Sequence, residues 1–273
     1  MGLITSFRAP TFTKLTATGT ITGYLFTCTS ANATVGATYT NNSQTFTVIA
    51  TIAAGTQLYC TATGAPAASG TLTKATGTGD TSITFSATQA FATYSPPTDA
   101  IYLRIVHLLG GGGGGGPGGT SGGTTFFGAN LLIATGGAGN SGGINGGPVA
   151  SGGTTTINLP AVGLAVQGGQ GSGSGFNNWS SGGAGGASPL GGAGGGGNGN
   201  GGGGSAYANT GSGGGGSGML NGSSSGGGGA SGGHIYCLIP GPLASIYPYV
   251  IGAGGSGNSY GGSGVIEIEE CYQ

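Results

Sequence analysis

A run of seven consecutive glycines, Gly110–Gly116, constrains this chain more than any other feature of its sequence. All but nine of the 72 glycines lie between Gly110 and Gly264, so the bias belongs to one region of the 273 residues. Glycine loses more backbone freedom on ordering than any other residue. The region is therefore either a flexible tether or a structure that only backbones without side chains can form.

Apolar and aromatic segments such as FFGANLLIA, INLPAVGLAV and FNNWSS interrupt the glycine tracts, which is not typical of a linker. A collagen helix needs a strict Gly-X-Y repeat, and these tracts violate it. We therefore favour a bundle of polyglycine II helices, extended helices with three residues per turn whose backbone amides bond sideways to their neighbours. A disordered tract is the alternative.

Triplet spacing supports this interpretation. In GGAGGA, residues 182–187, both alanines fall on one edge of a threefold helix and glycines occupy the other two edges. The all-glycine run Gly110–Gly116 suits the centre of such a bundle, because side chains would hold the backbones apart. FFGANLLIA and INLPAVGLAV are expected to pack against the rest of the fold.

Charged residues make up only 3% of the chain and the net charge is −1. So few charges predict no electrostatic binding to nucleic acid or to an acidic membrane surface. The sequence contains no apolar run of about 20 residues, so no membrane-spanning helix is predicted. Its N-terminal residues show no apolar h-region, so no signal peptide is predicted. The start MG with Ser6 matches a myristoylation pattern too short to carry weight.

The predicted fold class is all-β plus a polyglycine II bundle, without α-helix. Alternating β-branched runs such as YLFTCTS, QTFTVIATI and TSITFSA, separated by turn residues, predict an antiparallel β-module over 20–93. Residues 1–19 would form an N-terminal attachment segment or first strand. Residues 94–273 would form a glycine-rich tip domain that a C-terminal strand closes.

Two alternating segments flank the glycine region and are predicted to pair as strands. In AIYLRIVHLL, Ile101, Leu103 and Ile105 would share one face, with Arg104 and Leu108 on the other, together with Tyr102 and Val106. In GVIEIEECYQ, the isoleucines at 266 and 268 would face one side, and the residues at 265, 267 and 269 the other.

The four cysteines lack the CxxC spacing of a zinc site. They are expected to be buried free thiols, with disulfides Cys28–Cys60 or Cys237–Cys271 as the alternatives. No metal and no cofactor are expected. Histidines meeting at the axis of a trimer, His107 or His234, are the metal-binding alternative. Asp80 in GTGD is interpreted as a turn residue rather than a calcium ligand.

No catalytic constellation is visible, so the chain is not expected to be an enzyme. Glycoside hydrolysis needs two suitably spaced carboxylates, and Glu267 and Glu269 more simply form the solvated side of a strand. No GxSxG nucleophile elbow is indicated, because such an elbow opens a helix and no helix is predicted. No GK[ST] follows the glycines, which excludes a P-loop interpretation.

Aromatic and amide side chains concentrate in the segments between glycine tracts, and they are the candidate binding residues. An exposed ring packs on the C–H face of a sugar while amides pair with its hydroxyls, and the same set suits a protein loop. The alternative is that Phe176 and Trp179 only cap the bundle. The candidates are Phe176, Asn177, Asn178, Trp179, Tyr207, Asn209, Met219, Asn221, Asn258 and Tyr260.

Several motifs in fixed order resemble the glycine-rich tip domain of bacteriophage tail fibres. They are YSPPTDAIYLRIVHLLGGGGGGG, GGTTFFGANLLIATGGAG, LAVQGGQGSGSGF and LASIYPYVIGAGGSGNSYGGSGVIEIEE. The resemblance covers roughly 91–273, with 8–19 as a first strand, and it extends to the tips of trimeric adhesive fibres of predatory bacteria. More distantly, the chain is similar to the distal adhesin of T-even-type phages. Residues 36–87 resemble a small β-module of fibre proteins.

The resemblance implies a non-catalytic fibre-tip adhesin that binds a glycan or an outer-membrane protein of a bacterial surface. It implies a homotrimer or a subunit seated on a fibre shaft protein, located at the tip of a virion tail fibre. The alternatives are a bacterial surface adhesion fibre and a purely structural fibre cap. An ice-binding protein is a further alternative, which the irregular loops and the separate β-module disfavour.

Overall fold

The computed structural model describes residues 9–16, 20–29, 31–51, 56–62, 64–140, 149–174, 181–198, 201–218 and 225–272. These residues form fifteen strands and no helix, and every strand pairing is antiparallel, so the predicted all-β class is confirmed. The strands are β1 (Thr11–Leu15), β2 (Gly23–Cys28), β3 (Thr38–Asn41), β4 (Gln44–Thr51), β5 (Gln57–Ala62), β6 (Gly70–Thr76), β7 (Ser82–Tyr94), β8 (Ala100–Leu109), β9 (Thr125–Phe127), β10 (Leu132–Ala134), β11 (Thr155–Ile157), β12 (Val162–Val166), β13 (His234–Pro240), β14 (Tyr247–Val250) and β15 (Val265–Tyr272).

Strands β2 to β7 close into a six-stranded barrel in the order β7-β2-β5-β4-β3-β6, with β6 returning to β7. Its interior is built from alternate side chains of these strands, and the ring of Phe26 makes edge-to-face contacts with Phe46 and with Phe85. The turn between β3 and β4 places Asn42 and Ser43 at positive φ, as a two-residue hairpin requires. Strand β3 itself was not among the predicted strands.

A five-stranded sheet in the order β1-β15-β8-β13-β12 carries the glycine region. Its inner face packs on β9, β10, β14 and the end of β7, and Leu103, Ile105, Ile266 and Ile268 are fully buried in this core. The predicted pairing of the two alternating segments is confirmed, because β8 pairs antiparallel with β15.

A bulge in β8 places the side chains after Val106 on the opposite face of the sheet from the one that strict alternation predicts. His107 pairs with Glu267 and Ile105 pairs with Ile268, so β8 carries one more residue than β15 at Val106. The extra residue shifts the alternation by one. Leu108 therefore lies in the core with Ile105, and the prediction that it shares the outer face with Arg104 is wrong.

The segment INLPAVGLAV was expected to pack, and that expectation is wrong for most of it. Ala161 is buried, but Leu159 is 87% exposed and Val162 and Leu164 are each at least 60% exposed. The reason is topological. Strand β12 is the outermost strand of its sheet and pairs only with β13 among the described residues.

The glycine region consists of segments that we call rods, and together they form the glycine bundle. The N–H groups along Gly110–Gly116 donate hydrogen bonds to three different rods in turn. N–H groups three residues apart donate to the same rod. The acceptors lie in 227–233, 120–123 and 259–262, and the acceptor number falls by three as the donor number rises by three. These three neighbours therefore run antiparallel to the central rod. The rods are 110–116, 118–124, 135–140, 149–154, 167–174, 181–187, 193–198, 201–206, 211–218, 225–233, 251–257 and 259–264.

Three further neighbours donate to the carbonyls of the central rod. Residues 137 and 140 donate to Gly111 and Gly114, and residues 255 and 258 donate to Gly112 and Gly115, so these two rods run parallel to it. The rod at 211–218 supplies the third donor, to the carbonyl of residue 113. Six neighbours thus surround one glycine rod, and its hydrogen-bond partners repeat every three residues.

Burial follows the same repeat. Every residue of 110–116, 211–218 and 225–233 is buried, so these rods form the centre of the bundle, as predicted for the all-glycine run. In the rod 181–187, Ala184 and Ala187 are exposed whereas glycines one residue before each are buried. Both alanines thus face outward, and the glycines that precede them face the interior of the bundle.

All four cysteines are buried free thiols. Burial raises the pKa of Cys28 to about 11 and that of Cys237 to about 12, because a thiolate would lose its hydration there. These values keep both groups in the neutral thiol form near neutral pH.

Candidate binding end of the glycine bundle

The rods reverse at an end that lies away from the five-stranded sheet, and we call it the loop end. Gly116, Ser217 and Asn258 mark it: the side-chain amide of Asn258 donates to the hydroxyl of Ser217 at 3.4 Å. The backbone N–H of Gly116 donates to Gly227 at 3.0 Å, and that of Asn140 donates to Gly114 at 3.1 Å. These contacts fix which residues stand at this end.

Four segments outside the described residues connect rods, and the described residues next to these segments lie at the loop end. Gly182 donates to Gly197 at 2.8 Å, Gly218 donates to Gly201 at 3.0 Å, and Gly226 donates to Ser217 at 3.0 Å. The flanks of the segments 141–148, 175–180, 199–200 and 219–224 are therefore neighbours in space. What this arrangement provides is a rigid array from which several connecting segments start side by side.

Six of the ten candidate binding residues lie outside the described residues: Phe176, Asn177, Asn178, Trp179, Met219 and Asn221. The described residues on either side of these segments lie at the loop end. Asn258 lies at this end itself and is exposed. Seven of the candidates thus belong to one end of the bundle or to connections that leave it.

Tyr207 and Asn209 lie near the opposite end, next to the strands. Asn209 exchanges hydrogen bonds with the hydroxyl of Ser263, at 2.9 and 3.2 Å, and Tyr207 is 76% exposed. Gly211 follows at the level of Gly110, about six residues or about 19 Å of rod from the loop end. Tyr260 is 61% exposed on the side of the bundle. The structure therefore does not bring Tyr207 and Asn209 together with Asn258, whereas Tyr260 follows Asn258 by two residues.

The two carboxylates considered for catalysis form ion pairs on the outer face of the five-stranded sheet. Glu269 binds the guanidinium of Arg104, and Glu267 lies 2.9 Å from the ammonium of Lys14. The Arg104 pairing raises the pKa of that guanidinium, chiefly through the hydrogen bond to Glu269. Each carboxylate thus has a basic partner that accounts for its position.

Sequence reasoning missed a buried polar cluster around Glu270. Its carboxylate accepts hydrogen bonds from the hydroxyls of Tyr94 at 2.6 Å, Thr13 at 3.1 Å and Tyr272 at 2.8 Å. Burial and the hydrogen bond to Glu270 raise the pKa of Tyr94. The cluster ties β1 and β7 to β15, and a signal was present, because Glu270 continues the alternation of the buried Ile266 and Ile268.

The two histidines were interpreted separately, yet the structure brings them together. Nδ1 of His107 lies 3.1 Å from Nε2 of His234, with ring centroids 5.2 Å apart. Burial and the neighbouring His107 lower the pKa of His234, and a main-chain hydrogen bond at Val106 opposes them. Among the described residues, no group of three or more His, Cys, Asp or Glu side chains is placed to hold a metal.

Asp80 has the structural role expected of a turn residue. Its carboxylate accepts a hydrogen bond from the backbone N–H of Asn32 at 2.9 Å, and its own N–H donates to the carbonyl of Asn32 at 2.7 Å. These two bonds join the loops before β3 and before β7.

In the part of the chain that the structure describes, no helix has the length and apolar character needed to cross a membrane. No known protein family, curated protein or solved structure matches the chain.

Proposed function

We propose that this protein is the non-catalytic tip of an attachment fibre and that it binds a bacterial surface receptor through the loop end of the glycine bundle. The receptor would be a glycan or an outer-membrane protein, and the fibre a phage tail fibre or, as the alternative, a bacterial adhesion fibre. The observation that carries the proposal is that the described residues flanking four connecting segments lie together at one end of a hydrogen-bonded scaffold.

The scaffold suits such a role because it separates stability from recognition. Backbone-to-backbone hydrogen bonds join the described rods, so the framework is held by groups that every residue carries whatever its side chain. Binding residues are commonly found on loops that a rigid framework positions. Loop sequences on this framework can therefore differ without disturbing it.

The exposed strand β12 supports the proposed assembly into a homotrimer or onto a shaft protein. Val162, Leu164 and Val166 lie on one face with Tyr236 and Leu238 of β13, all at least 37% exposed. An exposed apolar edge strand invites pairing with another chain. It lies on the strand side of the molecule, which leaves the loop end free.

Few charges contribute to recognition in this proposal. Each site would bind with modest affinity, and several fibre copies would act together through avidity. Because screening acts on charges, attachment would depend only weakly on salt concentration. Light scattering of the purified chain would distinguish a trimer from a monomer that sits on another protein.

Binding of the purified, labelled chain to a panel of bacteria and to a glycan array tests the proposal. Trp179→Ala and Asn258→Ala alter the loop end, and Tyr207→Ala is the matched control because it removes an exposed aromatic ring near the strand end. Loss of a central aromatic anchor typically costs 2 kcal/mol or more. We therefore expect Trp179→Ala to weaken binding at least about tenfold and Tyr207→Ala to leave it unchanged.

Two other outcomes would contradict the proposed position of the receptor site or the proposed receptor binding itself. If Tyr207→Ala abolishes binding and the loop-end variants do not, the receptor site lies near the strands. If no bacterium and no glycan in the panel retains the wild-type chain, a structural fibre cap explains the architecture better.

A further inference from the structure

Both histidines of the chain lie on the outer face of the five-stranded sheet, on neighbouring strands, and they face each other. The facing atoms, Nδ1 of His107 and Nε2 of His234, are 3.1 Å apart, and the ring planes differ by 34°. The bulge at Val106 produces this arrangement, because it offsets His107 from strict alternation along β8. Both rings are only half-buried, so solvent and ions reach them.

This separation fits two ligands of one metal ion. Imidazole nitrogens bind Zn²⁺ at about 2.0–2.1 Å, so two nitrogens 3.1 Å apart subtend about 100° at the ion. That angle lies between the values for octahedral and tetrahedral coordination. Each lone pair must then point about 40° away from the line between the two nitrogens, toward a common point.

The charges around the pair do not oppose a cation. Glu267 is opposite His107 in the register and is held by Lys14 at 2.9 Å, while Arg104 is paired with Glu269. The face therefore carries no net charge near the rings. The thiols do not compete for the metal, because all four cysteines are buried.

We propose that His107 and His234 form a two-imidazole chelate for a divalent transition-metal ion, with water in the remaining coordination positions. The ion clamps β8 to β13 next to the start of the glycine bundle. Imidazole sites bind Cu²⁺ more tightly than Ni²⁺ or Zn²⁺, so the same order is expected here. This site is independent of the proposed receptor-binding end.

Thermal unfolding of the tag-free, chelator-treated chain in a NiCl2 titration tests this proposal. At a free Ni²⁺ concentration about a hundred times the Kd, we expect the Tm to rise by about 5 °C and EDTA to reverse the rise. His107→Gln and His234→Gln should each abolish the shift. Tyr236→Phe is the control, because it alters the same face without removing an imidazole.

The proposal is wrong if Ni²⁺ leaves the wild-type Tm unchanged or shifts His234→Gln equally. Should the histidine variants not fold, electron paramagnetic resonance of Cu²⁺ bound to the wild-type chain decides the matter. Hyperfine coupling to two imidazole nitrogens supports the chelate, and coupling to one nitrogen or to none overturns it.

Discussion

The six-stranded barrel and the glycine bundle both lack helices, yet their interiors are built in opposite ways. The barrel interior is filled with side chains, of which Phe26, Phe46 and Leu72 are fully buried. The centre of the bundle, Gly110–Gly116, contains no side chain, and its backbone groups bond to neighbouring rods. The two regions of one chain thus pack through different chemical groups.

The comparison shows what each kind of interior tolerates. Burying a large apolar side chain contributes about 1.5–3 kcal/mol, and neighbouring side chains can adjust to small changes of shape. A backbone hydrogen bond contributes only about 0.5–1.5 kcal/mol net, and an orphaned buried amide costs more than that. The bundle therefore depends on many bonds at close approach, so one added methyl group separates several partners at once.

The largest expected effect is that of Gly113→Ala in the central rod. An added Cβ would lie 2.5 Å from the carbonyl carbon of Ala138, far inside van der Waals contact. The rods must separate, so we expect a loss of at least about 4 kcal/mol, visible as insoluble protein or a collapsed Tm.

Gly195→Ala is the control, because a Cβ there meets nothing within 4 Å. Its expected effect is within about 0.5 kcal/mol. Equal tolerance of both substitutions would mean that the rods are not in close contact.

The second prediction concerns the interior of the barrel, which is filled with side chains. Phe26→Ala removes a ring that contacts Phe46 and Phe85 at centroid distances of 5.2 and 4.9 Å. We expect about 3–5 kcal/mol of destabilisation of the barrel, measured by urea unfolding, with amide protection of the glycine bundle retained. The exposed Phe12→Ala is the control. If barrel and bundle lose protection together, they form one cooperative unit.

A smaller effect is expected where a buried carboxylate joins strands. Glu270→Gln weakens the hydrogen bonds from Tyr94, Thr13 and Tyr272, and we expect about 1–3 kcal/mol of destabilisation. The matched control, Glu267→Gln, breaks only a partly exposed ion pair with Lys14 and should cost at most about 1 kcal/mol. Equal costs would remove the special role of the buried cluster.

The effect that is smallest near neutral pH concerns alkaline titration of the buried thiols. Burial raises the pKa of Cys28 to about 11 and of Cys237 to about 12, above the unfolded value of 9.0. The unfolded chain therefore releases these protons first, and stability present below pH 9 is lost progressively between about pH 9 and 12. Urea midpoints at pH 8, 10 and 11 measure the loss. Cys28→Ala should flatten the dependence, and an unchanged slope would exclude this thiol as its source.

Much of the fold follows from local patterns. Alternation in AIYLRIVHLL and GVIEIEECYQ predicted the pairing of β8 with β15, and the triplet GGAGGA predicted its exposed alanines. The bulge at Val106 could not be predicted, because a bulge is defined by the register between two paired strands and the sequence of one strand does not determine that register. The exposure of β12 likewise depends on its place at the sheet edge.

The candidate site was harder to predict, because composition does not reveal at which end a rod reverses. The turns at 188–192 and 207–210 return the chain near the strand end, which places Tyr207 away from Asn258. The pairing of His107 with His234 requires β8 beside β13, a non-sequential neighbour. Such long-range placement depends on tertiary packing rather than on local sequence.

Hydrogen exchange tests the central claim most directly. Amide exchange measured by mass spectrometry or nuclear magnetic resonance should show slow exchange across Gly110–Gly116, 211–218 and 225–233, where each N–H that donates to another rod is buried. Protection comparable to that of β8 and β15 is the predicted result. Exchange of these glycines at unfolded-chain rates would contradict the hydrogen-bonded bundle.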